Sequence, residues 1–192
     1  MQVPNKNLYF VAMITPAGIS DQITAFKQDI AINYNSKRAL RVMPHITLKA
    51  PFTVDANRHN ETVNWFTEMK SNESGFYVEL QNFGVFDNSK APVLFVNPLR
   101  SDELFRLQKH IIANFEIAFP EIPIQFIERD FHPHITIGYR DLTYAEFEKA
   151  WEVYKHKKYA DVFLVENFCL LQHDGNRWNI IAINNLTGHN TA

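Results

Sequence analysis

The sequence predicts an α+β protein made of two pseudo-symmetric β-α-β-α-β lobes, their antiparallel sheets interlocked around a central cleft. Short runs rich in β-branched and aromatic residues alternate with longer segments of helical period. The same order of elements is met twice along the chain. Within that order Pro44-His45-Ile46-Thr47 returns as Pro133-His134-Ile135-Thr136, 89 residues later, and Asn82-Phe83 with Val85 returns as Asn167-Phe168 with Leu170, 85 residues later. A long period used only twice points to two lobes rather than a solenoid.

Leu8 to Ile14 reads as the first strand. Ser20 is placed to cap a helix whose Ile23, Phe26, Ile30 and Tyr34 fall on one stripe. His45 to Phe52 reads as the second strand, Val63, Phe66 and Met69 as a helix, and Phe76 to Phe86 as the third strand, closed by the turn residues Asn88-Ser89-Lys90. Val93 to Pro98 restarts the pattern. Ser101, Asp102 and Glu103 open a helix carrying Leu104, Leu107, Ile111 and Phe115, its acidic first turn matched to the helix dipole. Ile135 lies in the next strand, and Thr143 with Glu146 forms a capping box ahead of Phe147, Ala150, Trp151 and Tyr154. Val162 to Leu171 and Trp178 to Asn184 are expected as a final hairpin around Asp174-Gly175. The repeats therefore cover about residues 8–86 and 93–171, with the last strand at 178–184. That strand has no following helix and must join an existing sheet, so the lobes interlock as one domain over residues 1–192.

Composition narrows the function. Of 192 residues 46% are hydrophobic, enough for a substantial core. Nineteen Lys and Arg against 21 Asp and Glu give a net charge of −2, so no global positive field holds a long nucleic acid. Any nucleotide partner is small or bound locally. The single cysteine, Cys169, closes no intrachain disulfide, which fits a reducing compartment. Leu8 to Ile14 sits at the lower limit for a secretory leader and reads instead as a strand whose removal would cost part of the fold, and no run approaches the roughly 18 apolar residues that span a bilayer. A cytoplasmic protein with no membrane and no inferable protein partner is the expectation.

On a strand, His45 and Thr47 project to one face while Ile46 and Leu48 face the other, and His134 and Thr136 do likewise. A two-fold relation between the lobes then turns both pairs toward one groove. Imidazole titrates near pH 6.5, so one ring of a pair can take a proton while the other gives one. Threonine hydroxyls two residues along can donate to a phosphoryl oxygen. This set suits phosphoester cleavage with no metal and no cofactor.

The strings His45-Ile46-Thr47-Leu48 and His134-Ile135-Thr136-Ile137 resemble the paired signature of the 2H phosphoesterase superfamily, which includes LigT-like proteins named as 2′-5′ RNA ligases. The resemblance implies a bilobal fold with a central cleft and metal-independent chemistry on 2′,3′-cyclic phosphates, of a nucleotide or an RNA end, or on 2′-5′ phosphodiester linkages. It also implies that His45, Thr47, His134 and Thr136 are catalytic. Two readings of other classes stay open: a module that binds nucleotides or RNA ends without turnover, and a histidine-based sugar mutarotase.

Further candidates are weaker. Lys49 shares the strand parity of His45, and Arg140 that of His134, so each reaches a phosphate if its strand stays regular; a solvated strand-end cation is the competing reading. Phe52 and Tyr139 are placed to stack on a base or to pack in the core. His132 with His134 offers a pair of nitrogens to zinc, but no motif supplies a third ligand. His59, His110, His156, His173 and His189 carry no assigned chemistry, Cys169 reads as a buried small hydrophobe, and Trp65, Trp151 and Trp178 as packing. The Lys155–Lys158 run reads as a solvated helix end.

Overall fold

The computed structural model describes residues 5–71 and 73–186; His189 lies outside them. Strand β1 (Lys6–Ile14) leads into α1 (Ala17–Asn33), β2 (His45–Asp55), α2 (His59–Glu68) and β3 (Phe76–Phe86). The order starts again with β4 (Val93–Pro98) and α3 (Asp102–Ala118). A one-turn helix α4 (Phe126–Arg129) precedes β5 (Ile135–Gly138), α5 (Tyr144–Tyr154) and β6 (Ala160–Val165), and the chain closes with β7 (Asn167–His173) and β8 (Trp178–Asn185).

Two four-stranded antiparallel sheets result, ordered β2-β1-β7-β8 and β5-β4-β3-β6. The lobes exchange strands. β3 leaves the first half to pair with β4 and β6, whereas β7 leaves the second half to pair with β1 and carries β8 on its outer edge. The first half of β3 buries one face, with Phe76, Val78 and Leu80 buried and Tyr77 and Glu79 between them exposed, whereas β1 is buried on both faces from Tyr9 to Met13. Helices cover the inner faces through apolar stripes, such as Ile19, Ile23 and Ile30 of α1 and Leu104, Leu107, Ile111 and Phe115 of α3. Ser101 caps α3, its Oγ accepting from the Leu104 N–H at 3.2 Å. One large core runs through both lobes, and a small second cluster of Phe10, Ala12, Cys169 and Leu171 lies on the other face of the first sheet. Burial pushes the Cys169 thiol up to about 11, as expected for an inert packing residue.

Local expectations fail at three places. Helix α1 starts at Ala17 behind Pro16, so Ser20 sits inside its first turn and its hydroxyl donates to the Thr15 carbonyl at 3.0 Å instead of capping. The expected strand Val162–Leu171 is two strands, broken at Glu166 and lodged in different sheets. The hairpin turn spans Asp174–Arg177 rather than two residues, with Asp174 Oδ1 accepting from the Asn176 and Arg177 amides at 2.8 Å. Thr143 caps α5 through the Glu146 N–H at 3.4 Å. Among the described residues no helix is long and apolar enough to cross a membrane.

Candidate active site

Strands β2 and β5 are the edge strands of their respective sheets, and they lie against each other. His45 opens β2, and His134 stands one residue before β5. Both imidazoles are held alike. His45 Nδ1 is 2.7 Å from the Met43 carbonyl oxygen, and His134 Nδ1 is 2.8 Å from the His132 carbonyl oxygen. A carbonyl only accepts, so each Nδ1 carries the proton and each Nε2 is left to take or give one. The ring of His45 packs on Phe10, with centroids 5.1 Å apart, and that of His134 packs on Phe86 and Phe95 at 4.9 and 5.4 Å.

Register sets which side chains share the cleft. Thr47 pairs with Ala12 and Thr136 with Phe95, and directly opposed residues point to the same side of a sheet. Ala12 belongs to the small cluster beside His45, so Thr47 follows His45 as the alternation predicts. The next step breaks the alternation. Ala12 and Val11 are adjacent on β1, yet their partners Thr47 and Lys49 are two apart on β2, so Leu48 is an extra, bulged residue. The same slip occurs between Phe95–Thr136 and Leu94–Gly138, where Ile137 is the extra residue. Bulges therefore follow both His-x-Thr units and turn the next residue inward.

That geometry corrects two expectations. Lys49 faces the core opposite Val11, is fully buried, and its Nζ lies 2.6 Å from Glu128 Oε1 and 4.2 Å from the Phe115 ring centroid. It is an interior ion pair rather than a free phosphate ligand. Arg140 lies beyond the end of β5 with φ 57°, exposed and set over the Tyr139 ring at 5.2 Å, so strand parity does not carry it to the threonine face. Phe52 packs in the core on Tyr9 and Phe115, the bland alternative for that residue. Tyr139 is half-buried at the strand end, its carbonyl accepting from Ser36 Oγ at 3.4 Å.

A cavity of about 770 Å³ opens between the lobes, bordered by Thr47 from β2 and by His134 from the opposite lobe. Its remaining walls are largely apolar, with Phe86 and Phe95 on one side and Phe126 and Ile127 of α4 on the other. His45 and Thr136 do not border it, but the charge of His134 acts on His45. Burial pushes the His45 imidazole down to about 4, offset in part by the Met43 carbonyl and reinforced by the positive charges of Lys27 and His134. His134 is pushed down by burial, against its His132 carbonyl bond and with the His132 charge. Lys27 is itself buried; its Nζ donates to the Val42 carbonyl at 2.9 Å, and desolvation lowers it to about 8. Among the described residues no group of three His, Cys, Asp or Glu side chains is arranged to hold a metal ion, and His132 Nδ1 is 2.9 Å from the Asp130 carbonyl oxygen.

Glu128, Phe126, Ile127 and Lys27 escape sequence reasoning. Glu128 ties α4 down: its Oε1 accepts from Lys49 and from the Ala50 amide at 2.9 Å, and its Oε2 accepts from the Gln125 amide at 2.6 Å. The Gln125-x-x-Glu128 spacing of a capping box is the one local signal that could have shown this helix.

A two-lobed fold with paired His-x-Thr units at its edge strands defines a phosphoesterase class of protein, and the chain matches the 2′-5′ RNA ligase superfamily over residues 15–177. It belongs to that family. It is 30% identical over 177 residues to a protein of Geobacillus kaustophilus provisionally named a phosphoesterase, covering 90% of this chain and 92% of the relative. A Staphylococcus epidermidis protein named in the same way is 26% identical, covering 89% of this chain and 94% of the relative. Among solved structures, E. coli LigT complexed with 3′-AMP superposes with a TM-score of 0.68 at 19% identity, over 95% of this chain and 99% of LigT. TT0787 of Thermus thermophilus superposes with a TM-score of 0.61 at 18% identity, with the same coverage. These structural likenesses establish the bilobal fold.

Proposed function

We propose that this protein is a metal-independent phosphoesterase that opens 2′,3′-cyclic phosphates of a nucleotide or an RNA end, or hydrolyses 2′-5′ phosphodiester linkages, with His45 and His134 as the acid/base pair. The observation that carries the reading is the matched presentation of two imidazoles, each with Nδ1 tied to the carbonyl two residues upstream and Nε2 left for proton transfer. In the reaction, water attacks phosphorus while one Nε2 takes its proton. The bond from phosphorus to the ribose O3′ breaks, the other Nε2–H protonates O3′, and a 2′-phosphomonoester remains. Thr47 and Thr136 donate hydroxyl hydrogens to the nonbridging oxygens, where negative charge concentrates. The apolar wall of the cavity accommodates the nucleoside.

The Lys27 charge bears on His45, disfavouring its protonated form, so His45 suits the base and His134 the acid. Anionic substrate raises the proton affinity of His134 on binding and so supplies the acid. E. coli LigT has been solved with 3′-AMP, ATP and NADP+, which supports a small nucleotide as the ligand class. Turnover of adenosine and uridine 2′,3′-cyclic phosphates and of 2′-5′ dinucleotides, with and without chelator, tests the proposal. His45→Ala and His134→Ala are each expected to lose about 10²- to 10⁴-fold in kcat. Near-normal hydrolysis by either variant, or loss of activity on chelation, refutes it.

A further inference from the structure

A second cavity of about 700 Å³ adjoins the first, and Gln108, Glu128, Asp130, Phe131 and His132 border both. The two differ in character. The catalytic cavity is walled by phenylalanines, whereas the adjoining groove collects Arg100, Lys109 and Arg129 at its rim. All three cations are exposed. Among the described residues Lys109 and Arg129 carry no ion pair, and Arg100 meets only the exposed Asp102 at 3.8 Å. Glu116 and Asp130 also border the groove, while the charge of Glu128 is already taken by Lys49.

The elements that build the groove lead into the catalytic cavity. Arg100 sits over the Phe105 ring at 4.9 Å, and Phe105 meets Phe131 edge to face at 5.2 Å, so a cation and two rings line the way to the shared wall. Lys109 is one turn along α3 from Phe105 and on the same face. Helix α4 borders the catalytic cavity with Phe126 and Ile127 and the groove with Arg129. Cations interleaved with aromatic rings match the needs of single-stranded nucleic acid, whose phosphates seek charge and whose bases seek flat apolar surface.

We propose that this groove is a second phosphate subsite, formed by Arg100, Lys109 and Arg129, that takes the phosphate on the 5′ side of the nucleotide whose 2′,3′-cyclic end is opened. The inference rests on the phosphoesterase reading above and narrows its substrate to a nucleotide bearing a 5′ phosphate. That phosphate belongs either to the preceding nucleotide of a short RNA end or to a 5′-polyphosphate on a single nucleotide. The local charge reconciles such a ligand with the net charge of −2, since only one or two phosphates need to be met.

The test compares adenosine 2′,3′-cyclic phosphate, its 5′-triphosphate, and the dinucleotide ApA ending in a 2′,3′-cyclic phosphate. Wild type and an Arg100→Gln/Lys109→Gln/Arg129→Gln variant are measured on each, with calorimetric binding of the matching 2′-phosphate products in parallel. Wild type is expected to favour an extended substrate at least about tenfold in kcat/KM, the equivalent of one charge-assisted hydrogen bond. The triple variant is expected to erase that preference while changing the unextended substrate by less than about twofold. Asp130→Asn is expected to strengthen the preference. Preference for the dinucleotide or for the triphosphate identifies which source of phosphate the groove takes. Equal kcat/KM and equal affinity for extended and unextended compounds overturn the subsite. Absence of turnover on every compound, with extended 2′-phosphates still binding more tightly than 2′-AMP in wild type only, fails the phosphoesterase reading and leaves the subsite standing as a binding site.

Discussion

Replacing Glu128 with Gln removes the carboxylate that pairs with the fully buried Lys49 ammonium while nearly preserving shape. The amide oxygen still accepts from Ala50 N–H, but the amide NH2 then faces the Gln125 N–H that the carboxylate had accepted. A buried charge without its partner costs about 3–5 kcal/mol. In a chain of this length that corresponds to a fall in melting temperature of about 10 °C. Urea unfolding of Glu128→Gln, of Lys49→Met and of the double variant measures it. The double variant removes both charges, lets Met pack against Phe115, and is expected to recover to within about 1 kcal/mol of wild type. The pH dependence gives an independent check. Burial already lowers the proton affinity of Lys49, and Glu128 restores part of it. In Glu128→Gln the folded Lys49 loses its proton more readily than the unfolded chain, so the penalty shrinks as pH rises above neutrality. A single variant losing less than about 1 kcal/mol, or a double variant less stable than both singles, refutes the account of a paired interior charge.

Other consequences follow from the same geometry. Lys27 is held at about 8 in the folded chain against about 10.4 unfolded, a cost of about 3 kcal/mol at pH 7, so Lys27→Met is expected to raise the urea midpoint. Because folded His45 stays neutral down to about 4 while the unfolded ring protonates near 6.5, stability falls as pH drops through that window. The loss is about 3 kcal/mol for this group, and His45→Gln should remove that share of the slope. Gly138 lies where an added Cβ would come within 3.0 Å of Ile30 Cγ2, so Gly138→Ala is expected to cost about 1–3 kcal/mol by thermal melting. A substrate with a nitrophenolate leaving group needs no acid, so it should rescue His134→Ala but not His45→Ala; rescue of His45→Ala instead reverses the assigned roles.

Strand order and the duplicated His-Ile-Thr units were legible because each rests on local alternation, and Phe76–Phe86 and Val93–Pro98 match to the residue. Lys49 was misplaced for a physical reason. Two-residue parity presumes a regular pleat, and the bulge at Leu48 arises from pairing with β1, which no window of β2 alone contains. The break at Glu166 was equally hidden, since the residues on both sides have strand character and only the choice of sheet separates them. Arg129, Phe126 and Ile127 gain their meaning from Glu128 anchoring a single turn across the chain, a contact 78 and 79 residues away in sequence.

The exchange of strands bears on how the chain can be made. While synthesis has reached only the turn at Asn88–Ala91, β3 has none of its partners, and Phe76, Val78 and Leu80 have no sheet to bury them. Equally, β1 must wait for β7, the last but one of the described strands. Neither end can mature first, so assembly is a late, concerted event with the slow rate that distant pairings impose, and a nascent first half is a natural client for a chaperone.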